Sequence, residues 1–258
     1  MEKTFWQWVV LILQKYWPKF LQGAGLTLYI ALIGTVIGFA IGLVIGVIRT
    51  IPIRKNDNIF KKILFRILNF ILAAYIEIFR GTPMIVQAMV IYYGLMEGFN
   101  IDLSPLSAAI FIVSINTGAY MSEIVRGGID SVDKGQYEAA SSVGMTHRQT
   151  MLYVIIPQAI RNILPATSNE FVINIKDTSV LNVIAVSELF YVSKDIKGAL
   201  FRTFEVFFIT CVVYFIMTFT ITRILKYIER RIDGPSSYII HHSSTMPDES
   251  FTAKEVSR

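Results

Sequence analysis

The chain has 258 residues, 53% hydrophobic and only 17% charged, against roughly 25% charge in a soluble domain. With a mean hydropathy of +0.54 there is too little charge to solvate a globular surface, so the composition indicates an integral membrane protein of one domain. The net charge of +5 leaves nucleic acid open in principle, but the cations cluster beside apolar runs, where the cytoplasmic preference for Lys and Arg accounts for them.

Three runs carry no charge: 29 residues from Phe20 to Ile48, 20 from Leu103 to Ser122 and 17 from Val206 to Thr222. They bracket the roughly 20 residues that cross about 30 Å of hydrocarbon as helix. None shows the polar alternation of a membrane strand of about 10 residues, so the spans are helical. The first 19 residues mix Glu2, Lys3, Lys15 and Lys19 with three tryptophans and offer no small-residue cleavage site, unlike a signal peptide. The single Cys211 lies in an apolar run and excludes a disulfide framework.

Taken in chain order, residues 1–22 interleave Phe5, Trp6, Trp8, Trp17 and Phe20 with polar groups, the pattern of an interfacial helix. The first span is expected at 24–48, with Gly34, Gly38, Gly42 and Gly46 four apart on one face. Such a stripe lets helices approach closely, either within the chain or against a second copy. Residues 49–66 hold Arg49, Arg54, Lys55, Lys61, Lys62 and Arg66 against Asp57, which places this loop in the cytoplasm and the N-terminus outside. The apolar region 63–98 would be about 54 Å of helix, too long for one perpendicular span, and it is interrupted at Arg80-Gly81-Thr82-Pro83. It reads as two short spans, or as an entry helix on the membrane surface followed by one span broken near Pro83. Only the second keeps both the polar segment 127–150 and the C-terminal cations Arg223, Lys226, Arg230 and Arg231 inside, so one broken span is expected.

The third span is expected at 104–126, the fourth at 163–186 and the fifth at 204–226, with 187–203 a polar outer loop. The fourth carries Glu170, Lys176 and Asp177 at membrane depth, where charge normally faces a cavity or a partner. The tail 233–258, rich in Ser, Pro and Glu, reads as disordered and cytoplasmic.

No phosphate-cradling loop, HExxH or Cys cluster is present, and His147 and the adjacent His241 and His242 do not make a metal site, so the chain does not read as an enzyme. The internal repeats of a self-sufficient transporter are also missing from the sequence, which points to partners.

Glu138-Ala139-Ala140 is followed after three residues by Gly144, and after nine more by Val154-Ile155-Ile156-Pro157. This resembles the cytoplasmic EAA signature of permease subunits of ATP-binding-cassette importers, with Val154 and Ile156 in place of the usual Ile and Leu. Phe79-Arg80-Gly81-Thr82-Pro83, Ala119-Tyr120 with Glu123-Ile124-Val125-Arg126-Gly127-Gly128, and Lys176-Asp177-Thr178-Ser179 resemble the polar amino acid uptake family, of histidine, glutamine and arginine type. The resemblance spans about 24–228. It implies a type I ABC importer permease fold: an all-α membrane protein with five transmembrane helices, an N-terminal interfacial helix and a cytoplasmic coupling helix, its permease domain at 23–232. It also implies two ATPase subunits that bind ATP and magnesium, a second permease, identical or homologous, and an extracytoplasmic amino-acid-binding protein. No cofactor is expected in this chain itself and no nucleic acid as a partner; membrane lipid surrounds it.

Within the coupling loop 127–157, Tyr137–Val143 and Met145–Tyr153 are expected as two short helices joined at Gly144, where φ > 0 is permitted. Glu138, Ala139, Ala140, Gly144 and Pro157 are the expected ATPase-coupling residues. A zwitterionic substrate needs a cationic fork for its carboxylate and an anion for its ammonium. Arg80 with Thr82 is the candidate for the first and Asp177 for the second, with Glu77, Glu123, Thr178 and Ser179 as further candidates. Structural pairing competes with that role, since Glu77 with Arg80 and Glu123 with Arg126 are spaced i, i+3. The expected function is import of a polar or charged amino acid across the bacterial inner membrane. The alternative is an ATP-independent channel or scaffold with a charged pore-lining helix.

Overall fold

The computed structural model describes residues 3–51 and 58–233. The described part is helical: α1 (Phe5–Arg49), α2 (Ile59–Gly81), α3 (Met84–Phe99), α4 (Pro105–Asp130), α5 (Lys134–Ser142), α6 (His147–Thr150), α7 (Ile156–Asp177), α8 (Leu189–Leu200) and α9 (Thr203–Asp233). Residues 52–57 of the cationic loop expected at 49–66, and the tail with His241 and His242, lie outside the described residues; from Ile59 onward the expected loop is already α2.

Residues 5–22 are helical, but they do not form a separate element. Thr4 closes a capping box with Gln7, and the helix then runs 45 residues to Arg49 with Pro18 inside it. At 1.5 Å per residue that is about 67 Å, more than twice the hydrocarbon thickness. The aromatic N-terminal part is held by packing: Val9, Ile12 and Phe20 join Leu189, Ile196, Val206 and Ile209 of α8 and α9 in one buried cluster.

The glycine stripe of α1 is matched residue by residue on α4. Gly34, Gly38, Gly42 and Gly46 lie against Val113, Thr117, Met121 and Val125, each set advancing by four. A Cβ at Gly38 would meet the Thr117 Cβ at 2.6 Å, and one at Gly42 the Met121 carbonyl carbon at 2.7 Å. Of the two partners open from the sequence, the stripe therefore packs within the chain.

The region 63–98 is broken, as expected, between α2 and α3. Gly81 ends α2, Thr82 is extended with φ −123° and ψ 147°, and Pro83 starts α3. Alone among the α2 side chains, Ile76 is buried, which suits an entry helix. Span four ends differently from expectation. It is α-helical only to Asp177 and tightens into a 3₁₀ helix over Thr178–Ile184, which packs with α3 and α4 through Leu181, Ile184, Ala88, Ile112 and Val113. The outer loop 187–203 is not a loop either, because it contains the 12-residue α8. Glu188, completely buried, caps this helix by accepting from the N–H groups of Phe190 and Tyr191 at 2.9 and 2.7 Å and from the Tyr214 hydroxyl at 3.0 Å.

Three described helices, Phe5–Arg49, Pro105–Asp130 and Thr203–Ile232, are long and apolar enough to cross a membrane by length and composition. The other two expected spans miss that test for physical reasons: α2 and α3 are interrupted at Pro83, and α7 carries charge. A single methyl group tests the α1–α4 seam. Gly42→Ala should lose about 1–3 kcal/mol through overpacking, whereas Gly25→Ala, with no atom within 4 Å of the added Cβ, should gain up to about 1 kcal/mol of helix propensity. Thermal unfolding of the purified protein in detergent reads both, and an unchanged midpoint for Gly42→Ala contradicts the seam.

Candidate functional site

Pro83 has no N–H to offer, so the last carbonyls of α2 lose their helical donors. Side chains take over. Gln87 donates through Nε2 to the carbonyl oxygens of Phe79 and Thr82, both at 2.9 Å, and approaches Thr82 Oγ1 at 2.8 Å. Its Oε1 accepts from Asn116 Nδ2 at 2.8 Å, and Asn116 also donates to the Phe79 carbonyl at 3.4 Å. Both amides are buried. Beside this clamp Arg80 is exposed, its guanidinium carbon 5.5 Å from the centre of the Tyr120 ring, one turn along α4 from Asn116.

The next residue of α4 faces another helix at the same depth, since neighbours on a helix point about 100° apart. Thr117 accepts from Asn174 Nδ2 of α7 at 3.0 Å, and the same amide donates to Thr35 Oγ1 of α1 at 2.8 Å. Asn116 and Thr117 thus tie the broken span and the charged end of α7 to one level of α4. Asp177 lies three residues beyond Asn174, about 4.5 Å along the axis. It is exposed and, among the described residues, pairs with no cation, Lys176 included.

The expected site residues fall into two groups. Arg80, Glu77 and Asp177 are exposed and without ion pairs among the described residues, so the pairing of Glu77 with Arg80 does not form. Thr82 donates its hydroxyl to the Ile78 carbonyl at 2.8 Å. Glu123 is occupied: one carboxylate oxygen accepts from Arg49, and the other from Arg126 at 2.8 Å. Arg126 extends the network to Asp130 at 3.2 Å, so here the pairing expected at i, i+3 does form and gains Arg49. Thr178 is fully buried, its hydroxyl donated to the Ile175 carbonyl at 3.0 Å, which leaves only Ser179 of that pair half-buried.

In the segment 127–157, α5 presents Glu138 and Ala139 outward and Ala140 inward, and Gly144 turns the chain with φ 80°. The second expected helix is not a separate one. Beginning at His147, it passes through a π-helical turn at Met151–Ile155 straight into α7, with Pro157 in the first turn of α7. Ala140 and Tyr137 bind α5 to this continuous helix, the Tyr137 hydroxyl lying 4.0 Å from Met151 Sδ. Burial, with the Asp130 charge second, raises the Tyr137 phenol above its ordinary value and keeps it neutral.

Residues 62–234 match the family model described as "Binding-protein-dependent transport system inner membrane component". The chain belongs to that family. This permease is 38% identical over 216 residues to the glutamine transport system permease protein GlnP of Escherichia coli (strain K12), covering 83% of this chain and 93% of the relative. It is 35% identical over 224 residues to the L-cystine transport system permease protein TcyB of Bacillus subtilis (strain 168), covering 86% and 90%. The crystal structure of an amino acid ABC transporter with histidines superposes with a TM-score of 0.77 at 38% identity, covering 90% of this permease and all of that chain. A MetNI methionine ABC transporter structure, at 20% identity and a TM-score of 0.70, shares the fold. This permease is accordingly a multi-pass inner-membrane subunit of an ABC importer with the type I permease fold, and it is not itself an enzyme.

Gln87, Asn116, Asn174, Thr35 and Arg49 did not stand out as functional in the sequence. The available signal was an uncharged amide at membrane depth in an apolar run, which charge counting passes over. The three-helix pin is testable, because Asn174→Ala leaves Thr35 and Thr117 without their shared donor. It should cost about 0.6–1.7 kcal/mol, the range for interhelical hydrogen bonds in membranes, measured as a drop in thermal midpoint; no drop contradicts the pin.

Proposed function

We propose that this permease carries a polar or charged amino acid inward, receives it from an extracytoplasmic binding protein, and is driven by two ATPase subunits that bind ATP and magnesium and dock on α5. A second permease, identical or homologous, completes the pathway. The cations after α1 and at the end of α9, with five-span parity, support an external N-terminus and a cytoplasmic C-terminus.

The observation that carries the cargo class is that Arg80 and Asp177, opposite in sign and free of ion pairs among the described residues, lie on two elements tied to adjacent residues of α4. An amino acid supplies the missing charges, its carboxylate to Arg80 with Thr82 and the N–H groups at the break, and its ammonium to Asp177. Relatives whose names specify glutamine, L-cystine and arginine transport support the same class. The coupling role is supported by an α5 whose Glu138 side chain makes no hydrogen bond among the described residues, and by the unbroken helix from His147 to Asp177, which can carry a tilt of the loop to the charged end of α7.

The complete complex in proteoliposomes tests both parts. Asp177→Asn keeps shape and removes charge, so transport should weaken about tenfold or more for a lost charge-assisted hydrogen bond of 1.5–3 kcal/mol, with basal ATP hydrolysis retained. Glu138→Lys should abolish binding-protein-stimulated hydrolysis while membrane insertion persists. Unchanged apparent affinity with Asp177→Asn removes Asp177 from the site, and normal stimulation with Glu138→Lys removes α5 as the docking element.

A further inference from the structure

The clamp beneath Arg80 has a consequence for recognition that rests on the reading of Arg80 as the carboxylate ligand. A buried primary amide in a membrane-embedded core is costly unless its donors and acceptor are all met. At Gln87 they are met by the break itself and by Asn116: two backbone carbonyls and a hydroxyl on one side, an amide donor on the other. A methionine would fill the same space with no such requirement. The amide is therefore matched to the shape of the break through its donors and to Asn116 through its acceptor.

Because peptide units are planar, fixing a carbonyl fixes the plane of its whole unit. The Phe79–Arg80 unit is held by both Gln87 and Asn116, and the Thr82–Pro83 unit by Gln87. Arg80, Gly81 and Thr82 thus hang between two pinned planes, with the Arg80 guanidinium steadied on the Tyr120 ring. The segment borders open space, since a Cβ built on Gly81 meets nothing within 4 Å. A short backbone arc that is fixed at both ends, open on one side and provided with a guanidinium has the character of a preorganised carboxylate receptor.

We propose that Gln87, seated by Asn116, is a positioning residue for the amino acid's α-carboxylate: it holds the Arg80–Pro83 break in the shape that lets Arg80 discriminate a carboxylate from an uncharged group. It touches no substrate. Its effect appears in the ratio of affinities between an amino acid and its α-carboxamide, a ratio that general loosening of the helix pair would leave in place.

The test is equilibrium binding of L-glutamine, L-arginine, L-histidine and L-cystine, each against its α-carboxamide, to the purified complete transporter. For the amino acid bound, wild type should prefer the carboxylate, and Arg80→Gln should remove the preference. Gln87→Met, which leaves the carbonyls of the break without donors, should cut it about tenfold, the equivalent of roughly one lost hydrogen bond. Gln87→Leu also removes the donor to the carbonyls and adds no charge beside Arg80, so it should show the same loss and serves where Gln87→Met fails to assemble. An unchanged ratio in the Gln87 variants alongside its loss in Arg80→Gln overturns the proposal, as does failure of both Gln87 variants to assemble, which makes the residue structural. A ratio unmoved by Arg80→Gln, or no binding of any of the four to wild type, overturns instead the reading of Arg80 on which the proposal rests.

Discussion

Everything in this permease is referred to the line along which α1 and α4 touch. Four glycines at a spacing of four bring two helix backbones to a separation that any side chain would prevent, and in lipid, where burial of apolar surface does not favour one helix pair over another, such van der Waals contact is what drives association. The close pair then becomes the rigid wall on which the less regular elements are hung. The entry helix and broken span attach at Tyr75, Gln87 and Asn116, and the charged helix at Thr117 and Asn174. At the C-terminal end of α1, Arg49 meets Glu123 from α4.

This arrangement braces α7 on α4 along its length, through Ile155, Ala159 and Ile163 against Val125 and Ile129 and through Asn162 to Ser131 at 2.9 Å. Hydrogen bonds across α1, α4 and α7 pin the middle of the membrane, where Asn174 joins all three helices. Below that level α7 runs without interruption to His147 and the turn at Gly144. On the proposed docking at α5, a tilt of that helix would travel toward the Asp177 end of α7 along one helix, with the π-helical turn at Met151–Ile155 within it.

Much of the architecture was legible because it follows from strong local rules. Proline at 83 had to break a span, glycine at 144 had to turn the chain, and the spacing from Glu138 to Pro157 marked the family to which the chain belongs. The parts that were not legible depend on tertiary context. Residues 1–22 carry an interfacial pattern, yet from Phe5 onward they are continuous with the first span and packed against α8 and α9. The segment 187–203 looked like a polar loop because Lys194, Asp195 and Lys197 are exposed, while Glu188 caps a helix from a fully buried position. At the candidate site, counting charges found Arg80 and Asp177 and passed over the amides that hold them. At Glu123 the i, i+3 spacing showed the pairing with Arg126, but could not show that Arg49, 74 positions away in the chain, joins it.

The most direct test of the claim that α1 and α4 move as one body is a distance between spin labels at Val36 on α1 and Phe111 on α4, both exposed. It is measured in the assembled transporter, with labelled permease diluted by unlabelled copies, in the nucleotide-free and the ATP-bound states. The account predicts the same distance distribution in both states, while a label at Ser142 on α5 moves relative to Val36. A Val36–Phe111 distance that changes with nucleotide would contradict it.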